Sequence, residues 1–333
     1  WSSDVCSSDL GNHSLAPVLS IGTIVLRRAR LHRHQLQIQR FQRMKTTVIG
    51  LGAMGAGIAG NLFRAGHLSH AWNRSPERAQ AAAGQHGFAL ADSLENAAAQ
   101  ADLVITSVSA DTDLLQVVER LSRVMTAGSV VLDTSTVSIE TARRVSERLE
   151  AHGIHFLDAP VSGGKEGAEK GTMVMMVGGD DAVLKQLMPV LESISRKVVH
   201  MGAVGSGQAT KAVNQIMCAG INQAVTEALA FGQHQGLDMD KAVDVVSSGA
   251  AGNWFVEHRG RSMTRGVFDP GFRVALHHKD LKICQAMLAS DDVQLPMVET
   301  TLVDYERLMA DGHGDEDISA LYRVKRPLFG EDV

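Results

Sequence analysis

Apolar and polar positions alternate along this chain in two different ways, and the change comes near residue 207. Before it, short apolar or β-branched runs separate stretches of helical spacing. Thr46–Ile49, His67–Asn73, Leu103–Val108, Val130–Asp133, His155–Asp158, Met173–Val177 and Lys197–His200 read as strands. Met54–Ala65, Pro76–Gly84, Asp111–Met125, Ser138–His152 and Asp180–Ser193 read as helices, and Asp92-Ser-Leu-Glu95 caps a short helix to Gln100. Ser75-Pro76-Glu77 has the form of an N-cap with proline at the first helical position. Strands alternating with helices predict an α/β fold with a Rossmann-type doubly wound, mostly parallel sheet.

After Gly207 the strands stop. Gln208–Gln235 is one long helical run, with VNQIMCAGINQAVTEALAFGQ at its heart, nearly apolar on all sides. Such a helix is expected to be buried all round, in a bundle or an oligomer interface. Asp240–Ser248, Trp254–Met263, His277–Ala289, Pro296–Asp311 and Ile318–Val324 continue as helices. The expected plan is a sheet domain over 44–206 and a helical domain over 207–333, with the long helix as hinge.

Composition adds bounds. The chain has 333 residues, 44% hydrophobic and 21% charged, an ordinary globular balance with length for about two domains. No apolar stretch approaches the ~18 residues of a membrane span. Cys6, Cys218 and Cys284 are scattered and odd in number, without C-x-x-C or metal-ligand spacing. A reducing, cytoplasmic setting is expected, with no disulfide and no metal. Residues 1–43 carry six arginines against Asp4 and Asp9, whereas the whole chain carries −5. The remaining body is therefore acidic, which argues against nucleic acid as partner. WSSDVCSSDL repeats SSD within ten residues, as a cloning scar does, and Met44 directly precedes the first strand. Residues 1–43 are therefore expected to be an extension outside the fold. The alternative is a mitochondrial transit peptide, because 27–43 is basic and lacks acids.

The first strand runs into Gly50-Leu51-Gly52-Ala53-Met54-Gly55, a G-x-G-x-x-G followed by a small-residue helix. Gly50 allows a sharp turn off the strand, Gly52 allows a pyrophosphate to approach the backbone, and Gly55 allows the helix to pack close. The helix N-terminus offers free N–H groups to the phosphates. Dinucleotide binding is expected here. At the end of the second strand an acid would bond the ribose of NAD(H) and repel a 2′-phosphate. This chain has Asn73-Arg74-Ser75 instead, eighteen residues past Gly55. A guanidinium flanked by two polar side chains favours NADP(H), with NAD(H) second.

Asp158-Ala-Pro-Val-Ser162-Gly163-Gly164 follows a strand and forms an oxyanion nest suited to a carboxylate, although SGG alone is also a common turn. Asp133-Thr-Ser-Thr136 lies at a strand's C-terminal end, where open α/β sheets place ligands; an N-cap for the next helix is the other reading. In Gly205-Ser-Gly-Gln-Ala-Thr-Lys211-Ala-Val-Asn214-Gln215, the lysine and both amides share a helix face. That spacing leaves a catalytic and a structural lysine equally open. His277-His278 has no carboxylate or cysteine at ligand spacing, so surface or pocket-lining histidines are expected.

GLGAMG, DAPVSGG, GSGQATKAVNQ and Phe272–Leu281 (FRVALHHKDL) together make residues 44–330 resemble the β-hydroxyacid dehydrogenases. That group holds 3-hydroxyisobutyrate dehydrogenase, tartronate semialdehyde reductase and glyoxylate/succinic semialdehyde reductase. DGHGDEDISAL resembles the tartronate semialdehyde branch, and Asn73-Arg74 the NADPH-using semialdehyde reductases. The resemblance implies Lys211 as general acid/base and Ser162, Gly163 and Gly164 as carboxylate ligands. It implies Thr136 beside substrate and nicotinamide, with Val108 on the cofactor side. It implies Phe272 and Asp280 in the pocket and Lys279 reaching the cofactor. Many members have asparagine four residues after the catalytic lysine, where this chain has Gln215, so Asn214 and Gln215 both stand as substrate-binding amides. The family is usually dimeric or tetrameric. The expected activity is interconversion of a small β-hydroxyacid and its semialdehyde. A 3-hydroxyacid dehydrogenase and a catalytically silent NADP-binding scaffold are the alternatives.

Overall fold

The computed structural model describes residues 44–330 apart from Ser290 and Asp292. The expectations for residues 1–43 lie outside the described residues. From Thr46 onward the chain lays down β1 (Thr46–Ile49), α1 (Ala53–Arg64), β2 (Leu68–Trp72), α2 (Pro76–His86), α3 (Leu94–Ala98) and β3 (Leu103–Thr106). There follow α4 (Asp111–Leu121), β4 (Val130–Asp133), α5 (Ile139–Glu150) and β5 (His155–Asp158). Strands β2, β1, β3, β4 and β5 lie side by side in that order, each parallel to its neighbour. The order reverses at β1, so the Gly50–Gly55 loop opens at the sheet's switch point, the place where such sheets hold ligands.

Period-two alternation divides each strand between two layers. Val48, Ile105, Leu132 and Leu157 pack in one core with Ile58 and Leu62 of α1. Ile49, Val104, Val131 and Phe156 pack in another with Leu114 and Val118 of α4 and Val145 and Leu149 of α5. Both faces are covered, so the central strands are buried along their whole length.

Beyond β5 the sheet departs from the sequence-based plan. A two-residue β6 (Val161–Ser162) and a seven-residue α6 (Gly164–Lys170) precede β7 (Met173–Gly178). Both elements are too short to show a period, which is why the sequence showed only a loop there. Strand β7 runs antiparallel to β5 and β6, and parallel to β8 (Ser195–Gly202), which follows α7 (Asp181–Leu191).

The long helix α8 spans Ser206–His234 and is followed by α9 (Met239–Ser248), α10 (Trp254–Thr264), α11 (Val274–Ala286) and α12 (Pro296–Ala310). Their shared core holds Ala219, Leu229, Phe255, Leu281, Leu302 and Tyr305. Within a single chain α8 is not buried all round. Its buried face carries the polar Gln208, Lys211, Gln215, Asn222, Gln223 and Thr226, while Val213, Met217 and Phe231 are exposed. Hydrophobic content alone could not reveal this inversion, because the helix buries amides that are bonded inside the chain. Asn222, for instance, donates to Tyr305 Oη and to the Ile318 carbonyl.

Candidate active site

The glycine loop comes first. Gly50 sits at φ +96°, and a Cβ there would strike the Ser107 carbonyl. A Cβ at Gly55 would strike the Gly50 carbonyl, so the start of α1 is pressed onto the loop. At Gly52 a Cβ would meet nothing within 4 Å. The N-terminus of α1 has no side-chain cap and no acid in its first turn. Open space over uncapped N–H groups suits a pyrophosphate.

The end of β2 is more committed than its sequence implied. Asn73 accepts the Leu51 N–H through Oδ1 (2.9 Å) and donates to the Ser75 carbonyl (3.0 Å), clamping the glycine loop. Arg74 pairs with Asp113 of α4 at 2.7 Å. Ser75 was expected to cap α2 with its side chain. Its backbone is extended as a cap requires, but its hydroxyl donates to Glu77 instead (3.0 Å).

Next to this, the tops of β3 and β4 are tied by a buried carboxylate. Asp133 Oδ1 accepts from Thr106 Oγ1 and Ser135 Oγ, both at 2.7 Å, and Ser135 Oγ in turn accepts the Val108 N–H (2.8 Å). Asp133 Oδ2 is buried without a partner. Burial, with the Asp158 charge on the neighbouring strand, pushes the Asp133 pKa up to about 6 from 3.8. Proton binding by the folded chain is thus favoured. Protonated Asp133 stabilises fully below pH 3.8, and that contribution is lost as pH climbs through 6. Unfolding of the wild type and of Asp133→Asn should therefore show a stability gap that moves by roughly 2 kcal/mol between pH 4 and pH 7, against the wild type. Parallel pH profiles for the two proteins would rule this out.

Asp158 ends β5 and fastens α8 to the sheet. Its two oxygens accept the N–H groups of Gly205 (2.7 Å) and Gln208 (2.9 Å), so a carboxylate from another element caps the helix. Gln208 donates to the Ser135 carbonyl (2.9 Å) and accepts from Val137 N–H (3.2 Å), holding the loop that carries Thr136. One turn on, Lys211 is buried and donates from Nζ to the Val161 carbonyl (2.9 Å), the residue before Ser162. Burial pushes the Lys211 pKa down, and the Asp280 carboxylate opposes that.

Asp280, on α11, is shared: Gln215 donates to Oδ2 (2.7 Å), and Lys279 pairs with Oδ1 (2.9 Å) while donating to the Thr136 carbonyl (2.7 Å). Gln215 also accepts from Asn214 Nδ2 (2.7 Å) through its side-chain oxygen. His277 is fully buried, not a surface or pocket-lining group. Its ring lies between Tyr305 Oη (2.9 Å) and the Gln215 carbonyl (3.2 Å), and burial pushes its pKa down to about 4. Phe272 lies against that ring, tilted at 45° with the centroids 5.3 Å apart. Gly163 and Gly164 have φ of +131° and +61°, a conformation that two glycines supply without strain.

Gln215, Asp280, Lys279 and Thr136 are thus joined by hydrogen bonds and an ion pair, while Lys211 is bonded to the Val161–Ser162 edge and feels the Asp280 charge. Asp133, Asp158 and Gln208 were not singled out from sequence as functional. Their signal was position, since both aspartates close apolar strands and are register partners.

Residues 45–202 match the family described as the NAD binding domain of 6-phosphogluconate dehydrogenase. Residues 205–325 match the one described as "NAD-binding of NADP-dependent 3-hydroxyisobutyrate dehydrogenase". A protein of Shewanella frigidimarina described as an oxidoreductase is 39% identical over 280 residues, covering 83% of this chain and 96% of that protein. The 2-hydroxy-3-oxopropionate reductase of Escherichia coli is 33% identical over 287 residues, covering 84% and 97%. The solved structure of Mycobacterium tuberculosis 3-hydroxyisobutyrate dehydrogenase with L-serine aligns at a TM-score of 0.77 and 34% identity, covering 85% of this chain and 99% of that one.

Proposed function

The chain belongs to the β-hydroxyacid dehydrogenase family, as an NAD(P)-dependent oxidoreductase of hydroxyacids and their semialdehydes, and from that premise we propose that it is a semialdehyde reductase that prefers NADP(H) and uses Lys211 as its proton donor. The observation that carries this reading is the buried Lys211 ammonium, held 2.9 Å from the carbonyl of the residue before Ser162. A lysine kept this close to an oxyanion nest can meet a substrate whose carboxylate rests on Ser162, Gly163 and Gly164.

The open space over Gly52 and the uncapped start of α1 fit a dinucleotide pyrophosphate along Gly50, Leu51, Gly52, Ala53, Met54 and Gly55. Arg74, between Asn73 and Ser75, takes the 2′-phosphate. Bound there, the nicotinamide supplies the hydride for the carbonyl carbon. The chain's own residues do the rest. Val108 and Thr136 line the cofactor side. Lys279 holds the Thr136 loop, and the Asp280 charge opposes the downward pull of burial on Lys211, the group placed to protonate the carbonyl oxygen. Gln215 is engaged at both ends, by Asp280 and Asn214, so it positions those groups, and Asn214, whose Nδ2 is bonded to Gln215 and Cys218, offers its Oδ1 to substrate. Phe272 closes the pocket beside His277. The exposed Val213, Met217 and Phe231 on α8 support a homodimer or homotetramer. Among the described residues no helix is long and apolar enough to cross a membrane.

A panel of tartronate semialdehyde, succinic semialdehyde, glyoxylate, 3-hydroxyisobutyrate and serine, each with both cofactors, tests the reading. The highest kcat/KM is expected for a semialdehyde with NADPH, from protein whose light-scattering mass is a multiple of the chain's. Best turnover on 3-hydroxyisobutyrate with NAD would replace it with a 3-hydroxyacid dehydrogenase, and a monomeric mass would remove the oligomer.

A further inference from the structure

The three side chains at the end of β2 are already engaged. Asn73 is engaged on both sides of its amide, its oxygen by the Leu51 N–H of the glycine loop and its nitrogen by the Ser75 carbonyl. The Ser75 hydroxyl donates to Glu77, and the Arg74 guanidinium, 75% exposed, is held by Asp113 at 2.7 Å. One guanidinium and two carboxylates therefore share this rim, and Asp113 is the one paired with Arg74 before any nucleotide arrives. Asp113 is a residue of α4, close to Arg74 in space though thirty-nine positions away in sequence.

We propose that Asp113 is the residue that sets the balance between NADP(H) and NAD(H), by holding Arg74 in an ion pair that a 2′-phosphate must break. The inference rests on the reading that Arg74 recognises that phosphate. A phosphomonoester carries a charge of about −2 near neutral pH. It must displace Asp113 from Arg74 and then sit beside the displaced carboxylate. NAD(H), with a free 2′-hydroxyl, meets neither penalty, and its ribose can donate to the same carboxylate. An exposed ion pair and a repulsion across a few ångströms are each worth a few-fold in affinity. Asp113 therefore tempers the preference that Asn73-Arg74-Ser75 would otherwise give.

The test is a double-mutant cycle on the full chain, with dissociation constants for NADPH and NADH measured by fluorescence titration. Asp113→Asn keeps the side chain's size and removes its charge. It should tighten NADPH about five- to tenfold, leave NADH within about twofold, and give a gain that shrinks as salt is raised. Arg74→Ala should weaken NADPH about tenfold or more. In the Arg74→Ala, Asp113→Asn double variant the gain from Asp113→Asn should vanish. If Arg74→Ala weakens NADPH but Asp113→Asn leaves the NADPH/NADH ratio unchanged, the role of Asp113 is overturned while phosphate recognition by Arg74 stands. If Arg74→Ala leaves NADPH affinity unchanged, the recognition itself falls. A gain that persists in the double variant overturns the ion-pair mechanism.

Discussion

Lys211→Ala should lower kcat by about a thousandfold and leave NADPH affinity within about twofold of the wild type. The expected size follows from what the ammonium does in the proposed reaction. Hydride delivery to a carbonyl carbon builds negative charge on the oxygen, and a positioned proton donor removes it in the same step. Losing such a donor typically removes two to four orders of magnitude. Cofactor affinity should survive because the contacts proposed for the dinucleotide come from the glycine loop and the end of β2. The buried stem complicates one point, since alanine leaves a hole beneath Val161. Lys211→Met keeps most of that volume and removes the charge with its bond to Val161, so the two variants should agree on kcat even where they differ in thermal stability. Turnover near the wild-type rate in either variant would refute the role.

Gly207→Ala should lower both stability and turnover. A Cβ at that position would lie 2.6 Å from the Asp158 carbonyl oxygen and 2.8 Å from its carboxylate Oδ2, and would press harder still on the Met176 carbonyl. Two of these are backbone atoms of the sheet, and the third belongs to a carboxylate whose oxygens are held by Gly205 and Gln208. The helix start must therefore move away. Overpacking of this kind costs about 1–3 kcal/mol, and weakening the charged cap adds about as much. A fall in Tm of roughly 10 °C is expected by differential scanning fluorimetry. Turnover should drop by about tenfold as well, because Lys211 lies one turn along the displaced helix. Gly84→Ala is the control: a Cβ there meets nothing within 4 Å, inside α2, so stability should hold or rise by up to ~1 kcal/mol. Equal melting temperatures for the wild type and Gly207→Ala would show that the helix start has room to spare.

The alternation of strands and helices was legible because each central strand is covered on both faces and each helix carries one apolar side. The switch at Gly207 was legible for the same reason. What stayed hidden depended on partners distant in sequence. Nothing near Arg74 announces Asp113, and nothing near Gln208 announces that its amide spans Ser135 and Val137. The inverted burial of α8 escaped because amides satisfied inside the protein are indistinguishable, in a linear string, from amides facing water. His277 escaped likewise: a histidine held between Tyr305 and a main-chain carbonyl needs no water, and only the fold supplies those partners.

The fastening of α8 to β5 through Asp158 also decides what can move. Lys211 sits a single turn past that fastening and bonds to the sheet edge at Val161, so mechanically it is part of the sheet, although its helix runs on into the bundle. The span from ammonium to carboxylate nest is then a fixed gauge. Asp280 and Phe272 belong to the helical bundle, which meets this gauge through the apolar core it shares with α8 and through the bonds of Lys279 to Thr136 and Gln215 to Asp280. A substitution in the bundle that shifts Asp280 or Phe272 would thus leave the lysine registered to the sheet edge, because that register is set at β5 and Val161.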